Sequence, residues 1–141
     1  MRNGEPRNFM GDVMVKRYDI DGVNPTGGRY SQVGEIGPNA RLFYLAGQTA
    51  GRPDGTCATD FKGQAEQVYK NIADVLKGCG LSIANVLKTT TYLINPDDMN
   101  VWRDAQKQAF GDIKPASTLL FISRLARPEY LIEVDVIAAK D

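Results

Sequence analysis

The 141-residue chain contains no histidine, so any acid–base chemistry must fall to carboxylates, lysine, tyrosine, cysteine or bound water. Ser–His and Cys–His nucleophilic pairs are excluded, as are HExxH zinc sites and every histidine-ligated metal. The two cysteines, Cys57 and Cys79, are too few for a four-thiolate zinc site and read as inert thiols. Metal-free chemistry, or none, is what remains. Its best-placed carboxylate is Glu133, in "LIEVDVI" (131–137). Strand alternation puts Leu131, Glu133 and Asp135 on one face and Ile132, Val134 and Val136 on the other. A carboxylate buried on so apolar a strand without partners is costly. Glu133 is therefore either part of a solvated or salt-bridged face, or a cleft carboxylate with a raised pKa that holds water for attack. Arg103 lies between Trp102 and Asp104 on an amphipathic stretch. A planar guanidinium there suits bidentate capture of a substrate carboxylate. The ordinary alternative is a weak surface pair with Asp98 or Asp104.

Composition narrows the classes further. The chain is 43% hydrophobic and 24% charged, with 17 basic and 17 acidic residues and a formal net charge of zero. It lacks the basic footprint of sequence-independent nucleic-acid binding, and no apolar run approaches the roughly 20 residues that span a bilayer. The opening "MRNGEPRNFMGD" has no signal-peptide core, so cytoplasmic residence is the expectation. "PTGG" and "GRPDG" lack the GxxxxGK[ST] spacing and read as turns, not phosphate loops.

The elements that must position these residues follow from periodicity. One domain over 1–141 is expected, with residues 1–12 a frayed N-terminal tail. Strands are expected over 13–20, 29–37 and 41–48. A helix capped by Asp60 or Thr59 then carries Phe61, Ala65, Val68, Tyr69, Ile72, Val75 and Leu76 on one face and ends at Gly78 and Gly80. A β-branched strand over 85–95 leads to a second helix over 97–110, with Met99, Trp102, Ala105, Ala109 and Phe110 as its buried stripe. Strands over 117–125 and 130–139 close the chain. The order β-β-β-α-β-α-β-β predicts an α+β domain with two helices on one face of a mixed sheet. Leu119, Leu120, Phe121 and Ile122 run without a polar break, which suggests a strand buried on both sides. The simplest cover for the second side is another copy of the chain.

The segments "RYSQVGEIG", "LFYLAGQTA", "GQAEQVYKNIADVLKGCGLSIANVLKTTTYLIN", "KPASTLLFISRL" and "IEVDVIA" are collinear and span about residues 29–139. In these the sequence resembles the reactive imine deaminase (Rid, YjgF-like) family. The resemblance implies a chorismate-mutase-like α+β fold, a homotrimeric barrel with clefts between subunits, and hydrolysis of enamines and imines released by pyridoxal-phosphate enzymes. It implies that Glu133 is the water-positioning glutamate, and that Tyr30 and Gly47 line the substrate site.

The family's carboxylate-gripping arginine falls on Ser117, followed by Thr118, so that charge is missing. A guanidinium is present instead at Arg103, where typical members have none. Arg124 is shared with typical members and suits an ion pair at a subunit contact.

The resulting expectation is a cofactor-free deaminase acting on a small enamine or imine carboxylic acid. Glu133 is its catalytic residue, and Arg103, Tyr30, Gly47, Ser117 and Thr118 bind substrate. Aminomuconate-like products are one class that a displaced clamp suits. The alternative is a trimeric metabolite-binding or regulatory protein that has lost the chemistry. A ribonuclease reading fits poorly with zero net charge and no histidine pair.

Overall fold

A computed structural model of the chain describes residues 15–141; the tail expected over 1–12 lies outside them. The elements are β1 (Val15–Tyr18), β2 (Val33–Ile36), β3 (Arg41–Tyr44), α1 (Phe61–Gly78), β4 (Val86–Leu93), α2 (Met99–Phe110), β5 (Ala116–Phe121) and β6 (Ile132–Lys140), with short 3₁₀ turns before β4 and α2. Their order is the expected one. β1 and β2 form a separate antiparallel ribbon, while the main sheet runs β3-β6-β4-β5. Within it β4 and β5 are parallel and the other pairs antiparallel, so the sheet is mixed.

Local chemistry explains the helices. Asp60 accepts the Gly63 N–H at 3.0 Å, which caps α1. The helix stops in a Schellman turn. Gly80 takes a positive φ of 74°, the Leu81 N–H reaches the Leu76 carbonyl at 2.8 Å, and the Gly80 N–H reaches that of Lys77 at 3.0 Å. Phe61, Ala65, Val68, Tyr69, Ile72 and Leu76 are buried as the spacing predicts, with Gln64 among them. Gln64 is fully satisfied: its amide donates to the carbonyls of Ala58 and Glu129, and its oxygen accepts from the Leu131 N–H, each at 2.8 Å. It ties α1 to the segment that delivers β6. Trp102, Ala105 and Phe110 are the buried residues of α2. The Trp102 indole donates to the Tyr69 hydroxyl at 2.8 Å, and Tyr69 meets Phe110 edge-on at 5.7 Å. Both helices cover the sheet face formed by Ile132, Val134, Val136 and Ala138.

Two strand expectations are corrected. The strand expected over 41–48 breaks after Tyr44. Tyr44 pairs with Ile137 and Gln48 with Val134, so four steps on one side oppose three on the other. The extra residue bulges the chain at Leu45–Gly47. The strand expected over 117–125 ends at Phe121 and forms the sheet edge, with Leu120 45% and Phe121 40% exposed on the surface that the expectation left to a second copy. Leu42, Tyr44 and Ile137, on the face opposite the helices, add further apolar surface there.

Candidate functional site

Register decides which residues can meet. Glu133 pairs with Tyr92 and Asp135 with Thr90, which in turn pairs with Thr118. All five therefore face the side of the sheet away from the helices. Ser117 pairs with Thr89, whose β6 partner is the core residue Val136, so Ser117 faces the helices. The sheet thus separates the six sequence-derived site residues into two groups.

The first group is built around Glu133. The β3 bulge lays Gly47 directly on the two β6 carboxylates. A Cβ at position 47 would lie 3.0 Å from the Glu133 carboxyl carbon, 3.1 Å from an Asp135 oxygen and 3.2 Å from Glu133 Oε1. A side chain there would make the carboxylates give by a few tenths of an ångström. Burial, then the neighbouring Asp135 charge, raises the Glu133 pKa above the ordinary glutamate value. The Tyr92 hydroxyl donates to Asp135 Oδ2 at 3.2 Å; burial and that contact raise the tyrosine's pKa. Lys88 donates to the Thr118 hydroxyl at 2.7 Å on the same face, which makes Thr118 a cross-strand partner rather than a free ligand group. The N–H groups of Ala46 and Gly47 donate no hydrogen bond among the described residues, and both residues are exposed. This niche holds a half-buried carboxyl with raised pKa, a second carboxylate and open N–H donors. It has the parts to hold a water and to receive developing negative charge.

The second group lines a cavity of ≈ 750 Å³ on the helix side, which contains Tyr30, Arg103 and Ser117 together. Its floor is Trp102 and Phe110 of α2, and its far wall is the loop before β2. That loop is stapled shut. Asp19 accepts from the Thr26 hydroxyl and the Gln32 N–H, each at 3.0 Å, and Ser31 donates to the Lys114 carbonyl at 2.6 Å. Tyr30 is thereby fixed next to the start of β5. Arg103 is half-buried and makes no ion pair or hydrogen bond among the described residues. The surface pairing with Asp98 or Asp104 does not form. Arg124 instead donates to the carbonyls of Leu125 and Ala126 at 3.0 and 3.1 Å, so within the chain it secures its own loop.

Tyr92 and the bulge were not legible in the sequence. Alternation placed Asp135 beside Glu133, but a cross-strand neighbour depends on register, which one strand's pattern does not contain. Burial pushes the Cys57 thiol pKa up, opposite to the demand on a nucleophile. Among the described residues no three Cys, Asp or Glu side chains converge on a metal-sized site, and no helix is long and apolar enough to cross a membrane.

The endoribonuclease L-PSP family profile matches residues 23–140. The chain belongs to that family. Among its relatives, a RutC family protein of Pyrococcus horikoshii is 34% identical over 116 residues, covering 81% of this chain and 89% of the relative. The human 2-iminobutanoate/2-iminopropanoate deaminase is 29% identical over 113 residues, 74% of this chain and 82% of the enzyme. A Rid-family protein of unknown function from Yersinia pestis superposes with a TM-score of 0.81 at 25% identity, over 89% of this chain and 98% of its own. The Rid/YjgF-like resemblance read from the motifs therefore stands, together with the α+β fold of two helices on a mixed sheet.

Proposed function

We propose that the protein is a cofactor-free hydrolytic deaminase of a small imine or enamine carboxylic acid, working at clefts between the subunits of a homotrimer. The observation that carries this reading is the Glu133 carboxyl, its pKa raised and Gly47 pressed against it. The relative named as an iminobutanoate and iminopropanoate deaminase supports the reaction class. An enamine first tautomerises to the imine. Glu133 takes a proton from water as the oxygen adds to the imine carbon, and it returns the proton to nitrogen. Transfer of the carbinolamine hydroxyl proton to nitrogen then breaks the C–N bond, leaving a ketone and ammonia. The N–H groups of Ala46 and Gly47, which donate no hydrogen bond among the described residues, are available to the negative charge that gathers on nitrogen and oxygen as water adds, and Arg103 holds the carboxylate in place of the family arginine absent at Ser117.

Glu133 and Arg103 lie on opposite sides of the sheet in one chain, so a complete site needs a second copy. Its cavity wall meets the Glu133 face of the first, across the apolar surface formed by Leu42, Tyr44 and Leu120. Aminomuconate-like acids, longer than the smallest 2-imino acids, suit this displaced clamp.

A second reading draws on the uncharged Ser117: a trimeric metabolite-binding regulator without turnover. A Lactococcus lactis relative, 33% identical over 99 residues, is named as a regulator. Ammonia release from imino acids generated in situ, measured beside sedimentation velocity, decides between them. A trimer that accelerates release confirms the deaminase. A trimer that binds the acids without releasing ammonia selects the regulator, and a stable monomer at micromolar concentration removes the intersubunit site altogether.

A further inference from the structure

The helix-side cavity is more cationic than one carboxylate requires. Four basic residues line it, Arg29, Arg103, Lys107 and Lys114, against two acids, Asp104 and Asp112. None of the four basic side chains is in a salt bridge among the described residues. They stand on two walls. Arg103 and Lys107 are one helical turn apart on α2, where like charges at this spacing repel and destabilise a helix. Arg29, after the Gly27–Gly28 turn, and Lys114, in the segment before β5, line the cavity from outside α2. A Cβ on Gly27 would be 3.9 Å from an Arg29 guanidinium nitrogen, and one on Gly28 would be 4.0 Å from Lys114 Nζ. Both glycines have positive φ, 68° and 73°, so the turn brings bare backbone to the cavity and leaves room beside the two cationic heads.

We propose that this cavity selects an acid carrying two carboxylates, one held by Arg103 and Lys107 and the other by Arg29 and Lys114. The net excess of two positive charges matches such a dianion. The ≈ 750 Å³ volume falls within the roughly 300–1,000 Å³ range of sites that enclose drug-sized ligands, and a three- or four-carbon monoacid leaves most of it unfilled. Two separated cationic pairs bind two separated carboxylates better than they bind one compact anion, because each charge-assisted contact needs its own geometry. Trp102 and Phe110 at the floor fit the apolar carbons between the two carboxylates. The inference rests on the deaminase reading for the identity of its substrate, an imino dicarboxylic acid, and on the cavity alone for its charge preference.

The test is calorimetric binding of two keto acids, the products of imine hydrolysis, to the full-length protein: 2-oxoglutarate with two carboxylates and 2-oxobutanoate with one. The expected result is at least about tenfold tighter binding of the dianion, falling to within about twofold in the Lys107→Met/Lys114→Met double variant. Arg29→Gln alone, read with a thermal melt, serves if the double variant fails to fold and should reduce the same ratio. Equal affinities in the wild type overturn the proposal, as does a ratio that the variants leave unchanged. Inorganic phosphate competing as strongly as 2-oxoglutarate, or a short RNA binding more tightly than either acid, also overturns it and reassigns the cavity to phosphate. Ammonia release from the two corresponding imines is measured separately. A dianion preference with no release from either imine supports the cavity assignment and sinks the deaminase reading instead.

Discussion

Replacing Gly47 with alanine adds one methyl group at the point where β3 presses on the β6 carboxylates. The new carbon would sit 3.0 Å from the Glu133 carboxyl carbon and 3.1 Å from an Asp135 oxygen. Relaxed non-bonded contacts lie near ~3.5–4.0 Å, so the carboxylates must retreat by about 0.5 Å. A misplacement of ~1 Å costs on the order of a hundredfold in rate, so half that distance corresponds to roughly a tenfold loss in kcat/KM. Stability should respond far less. Position 47 has no positive φ, so alanine gains about 0.4–1 kcal/mol from the reduced freedom of the unfolded chain. The displaced groups are the ends of half-buried side chains, and the net change should stay within about 1 kcal/mol. Ammonia release coupled to NADH oxidation by glutamate dehydrogenase gives the rate, and thermal unfolding gives the stability. A variant with wild-type kcat/KM and a wild-type melt would show that the crowding at Glu133 has no functional meaning. A variant that loses both activity and fold would make Gly47 structural.

Glu133→Gln should lower turnover by at least roughly tenfold while leaving the oligomer intact. The raised pKa of Glu133 means that the native state binds its proton more tightly than the unfolded chain does. That contribution to stability is fully present below the ordinary glutamate value and is lost as pH rises through the folded value. The melt of Glu133→Gln relative to wild type should therefore improve from acidic to neutral buffer; the opposite trend would contradict the cited shift. Asp135→Asn removes the smaller of the two causes of that shift, so the acidic limb of the pH–rate profile should move to lower pH, and an unmoved limb would detach Asp135 from Glu133. Arg103→Ala should weaken a carboxylate substrate by about 2 kcal/mol, mainly in KM, and Ser117→Arg should shift preference toward smaller imino acids. If Arg103→Ala does nothing and Ser117→Arg alone creates activity, the clamp has not moved to α2. Trp102→Phe leaves the buried Tyr69 hydroxyl without its 2.8 Å donor and should cost about 1–2 kcal/mol in denaturant unfolding.

The helices were legible because their signals are local. The stripe from Phe61 to Leu76 repeats at the helical period, Asp60 offers a cap three residues from Gly63, and Gly80 supplies the left-handed exit. Alternation along β6 likewise placed Glu133 and Asp135 on one face and the buried valines on the other. Zero histidines and balanced charge bound the chemistry by composition alone.

What the sequence left open is what depends on pairing between distant segments. The bulge at Leu45–Gly47 exists because β3 makes four steps where β6 makes three, a mismatch invisible in either strand alone. The same register sets Tyr92 against Glu133 and turns Ser117 toward the helices while Thr118 faces away. Residues that looked like one site are thereby divided by a sheet. Side-chain direction in a strand flips with each single-residue step, so composition and periodicity named most of the participants, and only the tertiary pairing decided which of them share a surface.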